Sequence, residues 1–329
     1  MTKDDLAGGI GPQARSDRPK FKRRMRFHQS WYRASVLGVD YGETLKDGKR
    51  RPYGNLLAER AAKDGKNFLT PKIHDVVKKR VEERGNTSVG DPSRLCRNML
   101  SSQPMCFNLF GELACDHELA SKLVRASWGR KLATLWGSDQ IAVTVTDVRF
   151  EWAPAQREKF LKDRTAFDAF IEYRTEAGEN GFIAVETKLT EPFSQKEYNL
   201  CDKNYSKWMT PKSPWGDDAN CAKLKAAKYN QLTRNHLLAW ALLDRKKYAH
   251  GSVAVVHHPK DKHCRETVEG YRNSVPHETR LPVWRINLGG LIDSWQGVSR
   301  AAWIRKFEER YLALDKSNSA WETLEARQV

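Results

Sequence analysis

Two neighbouring stretches of the chain, 166–174 and 182–189, alternate between apolar and polar residues. In both, an apolar or β-branched side chain stands at every second position: Phe167, Ala169, Ile171 and Tyr173, then Ile183, Val185, Thr187 and Leu189. Successive side chains of a strand point to opposite faces of its sheet, so this period of two predicts a pair of half-buried strands. The segment between them, 176–181, contains two glycines and an asparagine. We therefore predict an antiparallel hairpin with a glycine-containing loop.

Apolar positions spaced three to four apart predict helices on both sides of this hairpin. The predicted helices cover 21–37, 71–83, 92–100, 119–128 and 220–246. Further strands are predicted over 141–152, with a bulge near Asp147, and over 252–258 and 281–288. The stretch 40–70 has turn residues and little periodicity, so it is predicted to be a loop with a short helix inside it, over 56–63. The longest helix is predicted to expose its basic residues, which are Lys223, Lys225, Lys228 and Arg234.

The polar positions of the predicted hairpin carry three charged side chains. Glu186 and Lys188 are two residues apart, so they share a face of the sheet and lie close together. Asp168 takes the polar face of the first strand. If the strands pair symmetrically about position 177, Asp168 lies opposite Glu186, whereas a bulge would shift that register.

This arrangement has a chemical consequence. Two carboxylates that are brought together repel each other, and a hard divalent cation with oxygen ligands relieves the repulsion. We therefore predict that Asp168 and Glu186 bind Mg²⁺, with Mn²⁺ as an alternative ion. The ammonium of Lys188 would stand beside the attacking water, where it can activate that water and offset negative charge on a phosphate.

At this point the residues resemble a known family. Asp168, followed after a hairpin by Glu186, Thr187 and Lys188, resembles the D…ExK signature of the PD-(D/E)xK nuclease superfamily. Three further segments are similar to a bacterial restriction-endonuclease-like branch of that superfamily: 101–111, 150–152 and 229–235. One departure is Phe167, which stands where the superfamily has the proline of its name, at a strand position that is not a ligand. The resemblance implies an α/β fold with an αβββαβ core, a mixed central sheet and a helical N-terminal extension.

The resemblance also implies roles for residues outside the hairpin. Glu151 is a candidate third acid for the metal, although its position also suits a solvated carboxylate on an edge strand. Gln231 is a candidate catalytic residue, because the helix after the hairpin directs polar side chains at the site in this superfamily. In one family variant a tyrosine follows this glutamine by four residues. Here that position is Asn235, which departs from the pattern.

The charge balance points to a polyanionic partner. The 329 residues contain 57 Lys and Arg against 41 Asp and Glu, a formal net charge of +16. Such an excess neutralises phosphates and releases counterions, so together with phosphodiester chemistry it predicts DNA as the partner; the alternative is charge that serves solubility alone. The candidate phosphate contacts are Lys203, Lys207, Lys212 and Arg234. The first three lie in the irregular stretch 191–218, which is either a lid over nucleic acid or an excursion anchored by its tryptophans.

We divide the chain into a mobile basic tail over 1–20, a helical extension over 21–90, a nuclease-like domain over 91–312 and a C-terminal tail over 313–329. Helix 21–37 interleaves cations with aromatic residues, so it either presents cations to phosphates or is an ordinary solvated helix. The six cysteines form no CxxC pair, and no apolar run reaches the ~18 residues that span a membrane. We therefore expect a cytoplasmic protein with reduced thiols and no membrane contact. A homodimer is a further expectation, because two-fold dimers are common among enzymes that cut both strands, although the sequence has no coiled-coil or interface signature.

Together these observations predict a Mg²⁺-dependent deoxyribonuclease, an endonuclease of restriction or antiviral-defence type. Two alternatives stay open: a nucleic-acid-binding protein without catalysis, and a nuclease with the same chemistry that acts on RNA or on free ends. A zinc site is not favoured, although four potential ligands lie close together in sequence: His257, His258, His263 and Cys264. They have neither finger-like spacing nor paired cysteines.

Overall fold

The computed structural model describes residues 9–14, 17–83, 91–137, 142–194, 196–216 and 226–326. Its centre is a five-stranded sheet with the order β3-β4-β5-β6-β7. The strands are β3 (Val143–Trp152), β4 (Phe167–Thr175), β5 (Asn180–Lys188), β6 (His250–His257) and β7 (Val283–Asn287). The first three pair antiparallel and the last three pair parallel, so the sheet is mixed, as predicted. A separate antiparallel pair precedes it, β1 (Tyr41–Lys46) and β2 (Lys49–Leu57).

Helices surround the sheet. Before it come α1 (Lys20–Trp31), α2 (Glu59–Lys63), α3 (Pro71–Glu82), α4 (Pro92–Arg97), α5 (Ser102–Cys115) and α6 (His117–Ala133). After β5 come α7 (Lys203–Ser206), α8 (Ala227–Asp244), α9 (Lys262–Arg272), α10 (Leu288–Val298), α11 (Ala302–Tyr311) and α12 (Asn318–Ala326). The order of α6, three strands, α8 and β6 confirms the predicted αβββαβ core.

The register of the predicted hairpin is confirmed. β4 and β5 pair from Ala169 opposite Val185 to Arg174 opposite Asn180, which is symmetric about position 177. The same register continued by one residue places Asp168 opposite Glu186. The predicted irregularity in β3 is also present, since the pairing with β4 shifts between Val145 and Asp147.

Both faces of the sheet are covered, so the prediction of half-buried strands was wrong for β5. Helices α5, α6, α10 and α11 share one hydrophobic core with one face of the sheet, and α8 and α9 share a second core with the other face. Every residue of β5 after Asn180 is buried. β5, which pairs antiparallel with β4 and parallel with β6, is a central strand between two helical layers. Such a strand is apolar on both sides, and only its last positions can carry charge into a site.

The predicted extension packs directly on the helices that cover the central sheet. Met25 of α1 and Ile73 and Val77 of α3 belong to the same core as Phe110 of α5. At Gly111 of α5, an added Cβ would lie 3.0 Å from the Ile73 side chain, so glycine allows α3 and α5 to approach closely. Residues 1–8 of the predicted tail lie outside the described residues.

Two local predictions were wrong. The stretch predicted to be a loop over 40–70 contains the β1–β2 hairpin, whose turn residues Asp47 and Gly48 both have positive φ, at 52° and 71°. Positive φ at both central residues is the requirement of the tight turn that an Asp-Gly pair favours. Helix α8 is buried nearly all round, and Arg234, predicted on its outside, is only 7% exposed. The reason is that the segment after β5 packs over this helix with Phe193, Trp208 and Trp215. Lys223 and Lys225 lie outside the described residues.

Five of the cysteines are described, and all five are free thiols: Cys96, Cys106, Cys115, Cys201 and Cys264. Among the described helices, none combines the length and the apolar character that crossing a membrane requires.

Candidate active site

One edge of the central sheet collects the charged residues predicted from sequence. Strands β3 and β5 end at this edge, whereas the antiparallel β4 begins there. Glu151 therefore lies at the end of β3, Asp168 at the start of β4, and Glu186 and Lys188 at the end of β5. Strand ends are a favoured place for reactive groups, because the backbone is paired up to that point and the next residues are free to form a cleft.

Glu186 is the most enclosed of these acids, with 3% of its surface exposed. Its Oε1 accepts hydrogen bonds from Nε2 of Gln231 at 2.7 Å and from Nζ of Lys188 at 2.8 Å. Its Oε2 accepts from Nδ2 of Asn235 at 2.8 Å. Buried carboxylates need such partners, since an unpaired charge in an apolar setting is very costly. The side chain is thus held in one place by three donors.

Helix α8 supplies two of those donors because Gln231 and Asn235 are four residues apart and face the same side. The orientation of the Gln231 amide is set by the backbone. Its Oε1 accepts from the N–H of Ser194 at 2.7 Å, and a backbone N–H can only donate, so Nε2 must turn toward Glu186. The same Oε1 accepts from Nζ of Lys188 at 3.3 Å.

Lys188 is 6% exposed, and its ammonium lies 4.7 Å from the centre of the Phe193 ring. Burial alone would lower its pKa. The negative charges of Glu186 and Asp168 and the hydrogen bond to Glu186 outweigh burial, so the pKa of Lys188 is raised. The side chain is therefore a cation at neutral pH in this arrangement.

Asp168 is half-buried, and its Oδ2 accepts two hydrogen bonds from Thr187, from the backbone N–H at 2.7 Å and from Oγ1 at 2.8 Å. Burial raises the pKa of Asp168 well above its ordinary value, and the charges of Glu186 and Glu151 raise it further. The three acids therefore act on one another electrostatically. Among the described residues, none donates a hydrogen bond to Oδ1 of Asp168, so this oxygen remains open.

Glu151 belongs to the same electrostatic group. Its Oε1 accepts from Nε2 of Gln103 at 2.8 Å. Burial raises its pKa, and the negative charge of Glu186 adds to the shift although the bond from Gln103 opposes it. Its backbone has a φ of 45°, a region that costs a residue with a side chain about 1 kcal/mol or more. Arg80 holds this conformation by donating to the carbonyl of Phe150 at 2.7 Å and to that of Glu151 at 2.9 Å.

The donor chemistry of this edge fits a hard divalent cation. All three acids offer oxygen, and neighbouring negative charge adds to the raised pKa of Asp168 and Glu151, which a cation would relieve. Oδ1 of Asp168 and Oε2 of Glu151 have no hydrogen-bond partner in the described part of the chain. No three or more His, Cys, Asp or Glu side chains of the described residues are grouped closely enough to ligate one metal together. His257, His258, His263 and Cys264 do not form such a group either.

The structure brings five predicted site residues to this edge: Asp168, Glu186, Lys188, Gln231 and Glu151. The predicted phosphate contacts are elsewhere. Lys203, Lys207 and Lys212 are exposed on the segment after β5. The guanidinium of Arg234 is occupied internally, by Oγ1 of Thr165 at 2.6 Å, by Oδ1 of Asn230 at 3.1 Å and by the Tyr198 ring at 4.3 Å.

Sequence reasoning missed two residues of the site. Asn235 was noted only as a departure from a family pattern, although its spacing of four from Gln231 indicated that the two share a helix face. Gln103 lies on α5, 48 positions before Glu151, and no spacing rule connects them.

A mixed sheet between helical layers, with acids and a lysine at the meeting ends of β4 and β5, defines the class of restriction-endonuclease-like proteins. The model of the PD-(D/E)XK nuclease superfamily matches residues 15–313, and the chain belongs to that superfamily. Membership implies a hydrolase that acts on nucleic acids. Searches of curated proteins and of solved structures gave no match.

Proposed function

We propose that this protein is a Mg²⁺-dependent endonuclease that hydrolyses phosphodiester bonds of DNA, of restriction or antiviral-defence type. The observation that carries the proposal is the gathering of Asp168, Glu186 and Lys188 at one edge of the sheet, with three hydrogen bonds that fix the Glu186 carboxylate. Superfamily membership supports hydrolysis of nucleic acid, and the formal charge of +16 supports a polyanionic substrate.

Asp168 and Glu186 would hold the cation, which is Mg²⁺ or alternatively Mn²⁺. Glu151 would become a third oxygen donor only after its side chain moves closer, because the three acids are not grouped closely enough in the structure to ligate one ion together. When bound, such an ion polarises a phosphoryl oxygen and makes water a better nucleophile at neutral pH. The open oxygens of Asp168 and Glu151 supply donors without breaking an existing hydrogen bond. The raised pKa of both acids means that the protein alone stabilises their charges poorly, and this favours cation binding.

The proposed role of Lys188 differs from that of the acids, because it does not bind the cation. Its raised pKa keeps it protonated, so it donates hydrogen bonds and does not act as a base in this arrangement. An ammonium at this place can orient water and stabilise the negative charge that grows on the phosphate during attack. Gln231 positions both partners, because it contacts Glu186 through its nitrogen and Lys188 through its oxygen.

The test is cleavage of supercoiled plasmid, linear duplex and single-stranded DNA with Mg²⁺ or with EDTA. We expect cleavage of DNA only with the divalent ion. Glu186→Gln and Lys188→Met should each lower the single-turnover rate by about 100-fold or more, since each removes a charge that acts on the transition state. The matched control is Glu172→Gln on the same strand as Asp168, where Glu172 contacts Arg149 and Tyr248 away from this edge.

Full activity of both site variants would remove the assignment. Salt-sensitive DNA binding that is indifferent to metal, without cleavage of any substrate, would instead identify a binding protein. Cleavage confined to RNA or to free ends would keep the chemistry and change the substrate.

A further inference from the structure

The β1–β2 hairpin projects from the body of the protein. Its base is anchored on both strands: Arg97 donates to the carbonyls of Glu43 at 2.7 Å and Leu57 at 3.3 Å, and Arg26 lies 5.4 Å from the Tyr53 ring. The outer part differs. The side chains described there are all exposed, namely Thr44, Leu45, Asp47, Lys49, Arg50 and Arg51. An isolated two-stranded ribbon is only marginally stable in water, so this hairpin depends on its anchored base, and its outer part is free to contact a partner.

The outer part of the hairpin, which is a two-stranded ribbon, carries exposed cationic side chains. Lys49 and Arg51 are two residues apart on β2 and share a face, where Thr44 lies opposite Arg51 in the register. Arg51 reaches Asp47 at 3.5 Å, but both side chains are largely exposed, at 46% and 73%, so this pair is weak and exchangeable. Lys49 has no ion-pair partner among the described residues.

Contacts also connect the ribbon to the segment that follows β5. A cleft of about 210 Å³ lies between Thr44 of the ribbon and Arg94 and Arg97 of α4. Arg94 donates to Oε1 of Glu191 at 3.2 Å, and Glu191 follows Lys188 by three residues. Contacts thus connect the hairpin through α4 to the segment that follows Lys188, although the acids Glu43 and Asp91 line the same cleft.

We propose that the β1–β2 hairpin enters a groove of duplex DNA and thereby makes the duplex the substrate. This inference rests on the proposed nuclease function. The major groove of B-form DNA admits a two-stranded ribbon, whereas the major groove of A-form RNA is too narrow and deep. Proteins that hold single strands stack bases on exposed aromatic rings, but the large apolar side chains exposed in the described chain are Val36 and Leu45.

The experiment measures binding without cleavage. Wild type, Lys49→Ala/Arg51→Ala and the control Arg305→Ala/Lys306→Ala are titrated in EDTA against a labelled DNA duplex, its single strand and the matching RNA duplex. The control removes the same charge from exposed positions of α11, which packs with α1 and α10. We expect the hairpin variant to bind duplex DNA about tenfold more weakly and to lower the salt slope by about 2. The control should change affinity by less than about twofold.

Equal affinity of the hairpin variant and wild type for duplex DNA would overturn the inference, as would tighter binding of wild type to single strands or RNA. The measured affinity for DNA does not depend on whether the protein cleaves DNA. If wild type never cleaves DNA but the hairpin variant loses duplex binding, the proposed function fails and the groove contact stands. If wild type cleaves and the hairpin variant binds and cleaves equally well, only the groove contact fails.

Discussion

Two of the places in the molecule that bury charged side chains partner those charges in opposite ways. At the edge of the sheet that carries the candidate active site, which we call the acidic edge, burial raises the pKa of Asp168 and of Glu151, and the negative charge of Glu186 raises both further. At a second place, which we call the arginine junction, Arg310 of α11 is fully buried among neutral groups of Gln29 and Asn67. Its guanidinium donates to Oε1 of Gln29 at 3.1 Å, to the carbonyl of Asn67 at 2.7 Å and to Oδ1 of Asn67 at 2.5 Å.

The comparison distinguishes a buried charge that stabilises the fold from buried charges that are kept for function. At the junction every nitrogen of the guanidinium has a hydrogen bond, so the buried cation connects three segments that are far apart in sequence. At the edge, like charges are held together and carboxylate oxygens stay open, which costs stability and leaves capacity for a cation and a phosphate. The high content of basic residues is therefore not all available to nucleic acid, because some of the arginines stabilise the fold.

The largest effect should come from the junction. Arg310→Ala leaves the acceptors on Gln29 and Asn67 unpaired and should lower the free energy of unfolding by about 3–5 kcal/mol. Urea denaturation measures this loss, with the exposed Arg305→Ala on the same helix as the control, which should stay within about 0.5 kcal/mol. If both variants were equally stable, the junction would not have the structural role that we assign to it.

A smaller effect at the junction depends on pH. His28 is fully buried and its ring contacts Oγ of Ser317 at 2.8 Å and the carbonyl of Glu309 at 3.0 Å. Burial lowers its pKa from 6.5 to about 4. The unfolded chain therefore takes up a proton first, so the contribution of His28 is complete above pH 6.5 and is lost as the pH falls toward 4.

Between about pH 7.5 and 5.5 this loss amounts to about 1–2 kcal/mol. We expect His28→Gln to show a flatter dependence of unfolding free energy on pH than wild type. His263→Gln, at an exposed position, serves as the matched control. Parallel pH curves for wild type and His28→Gln would contradict the assignment.

The smallest effect has the opposite sign and belongs to the acidic edge. The pKa of Asp168 is raised by burial and by the neighbouring acids, so its ionised form destabilises the fold above its ordinary pKa. Asp168→Asn should therefore raise the free energy of unfolding at neutral pH in EDTA by about 0.5–1 kcal/mol, while it abolishes cleavage. Added Mg²⁺ should stabilise wild type and not the variant. If Asp168→Asn were less stable than wild type in EDTA, repulsion among the acids of this edge would not be what destabilises the fold.

Much of the acidic edge could be predicted from the sequence, because its geometry depends on local rules of strand pairing. The period of two in 166–174 and 182–189 places Glu186 and Lys188 on one face, and the loop between the stretches sets the register that brings Asp168 opposite. The β1–β2 hairpin carried a local signal as well, the pair Asp47 and Gly48, but the absence of apolar alternation around it concealed the strands. Its strands face solvent, and the pattern of burial that marks a strand is missing there.

By itself, the sequence determined the order of the core elements, the pairing of β4 and β5 and the three charged residues at their meeting ends, since turns and side-chain alternation act over a few residues. Only the tertiary structure decided that Asn235 and Gln103 bond to the acids, that Arg234 is buried and that Arg310 joins Gln29 to Asn67. These contacts link residues separated by tens to hundreds of positions. These contacts depend on which helices and loops cover each face of the sheet, and the packing of the whole chain decides that.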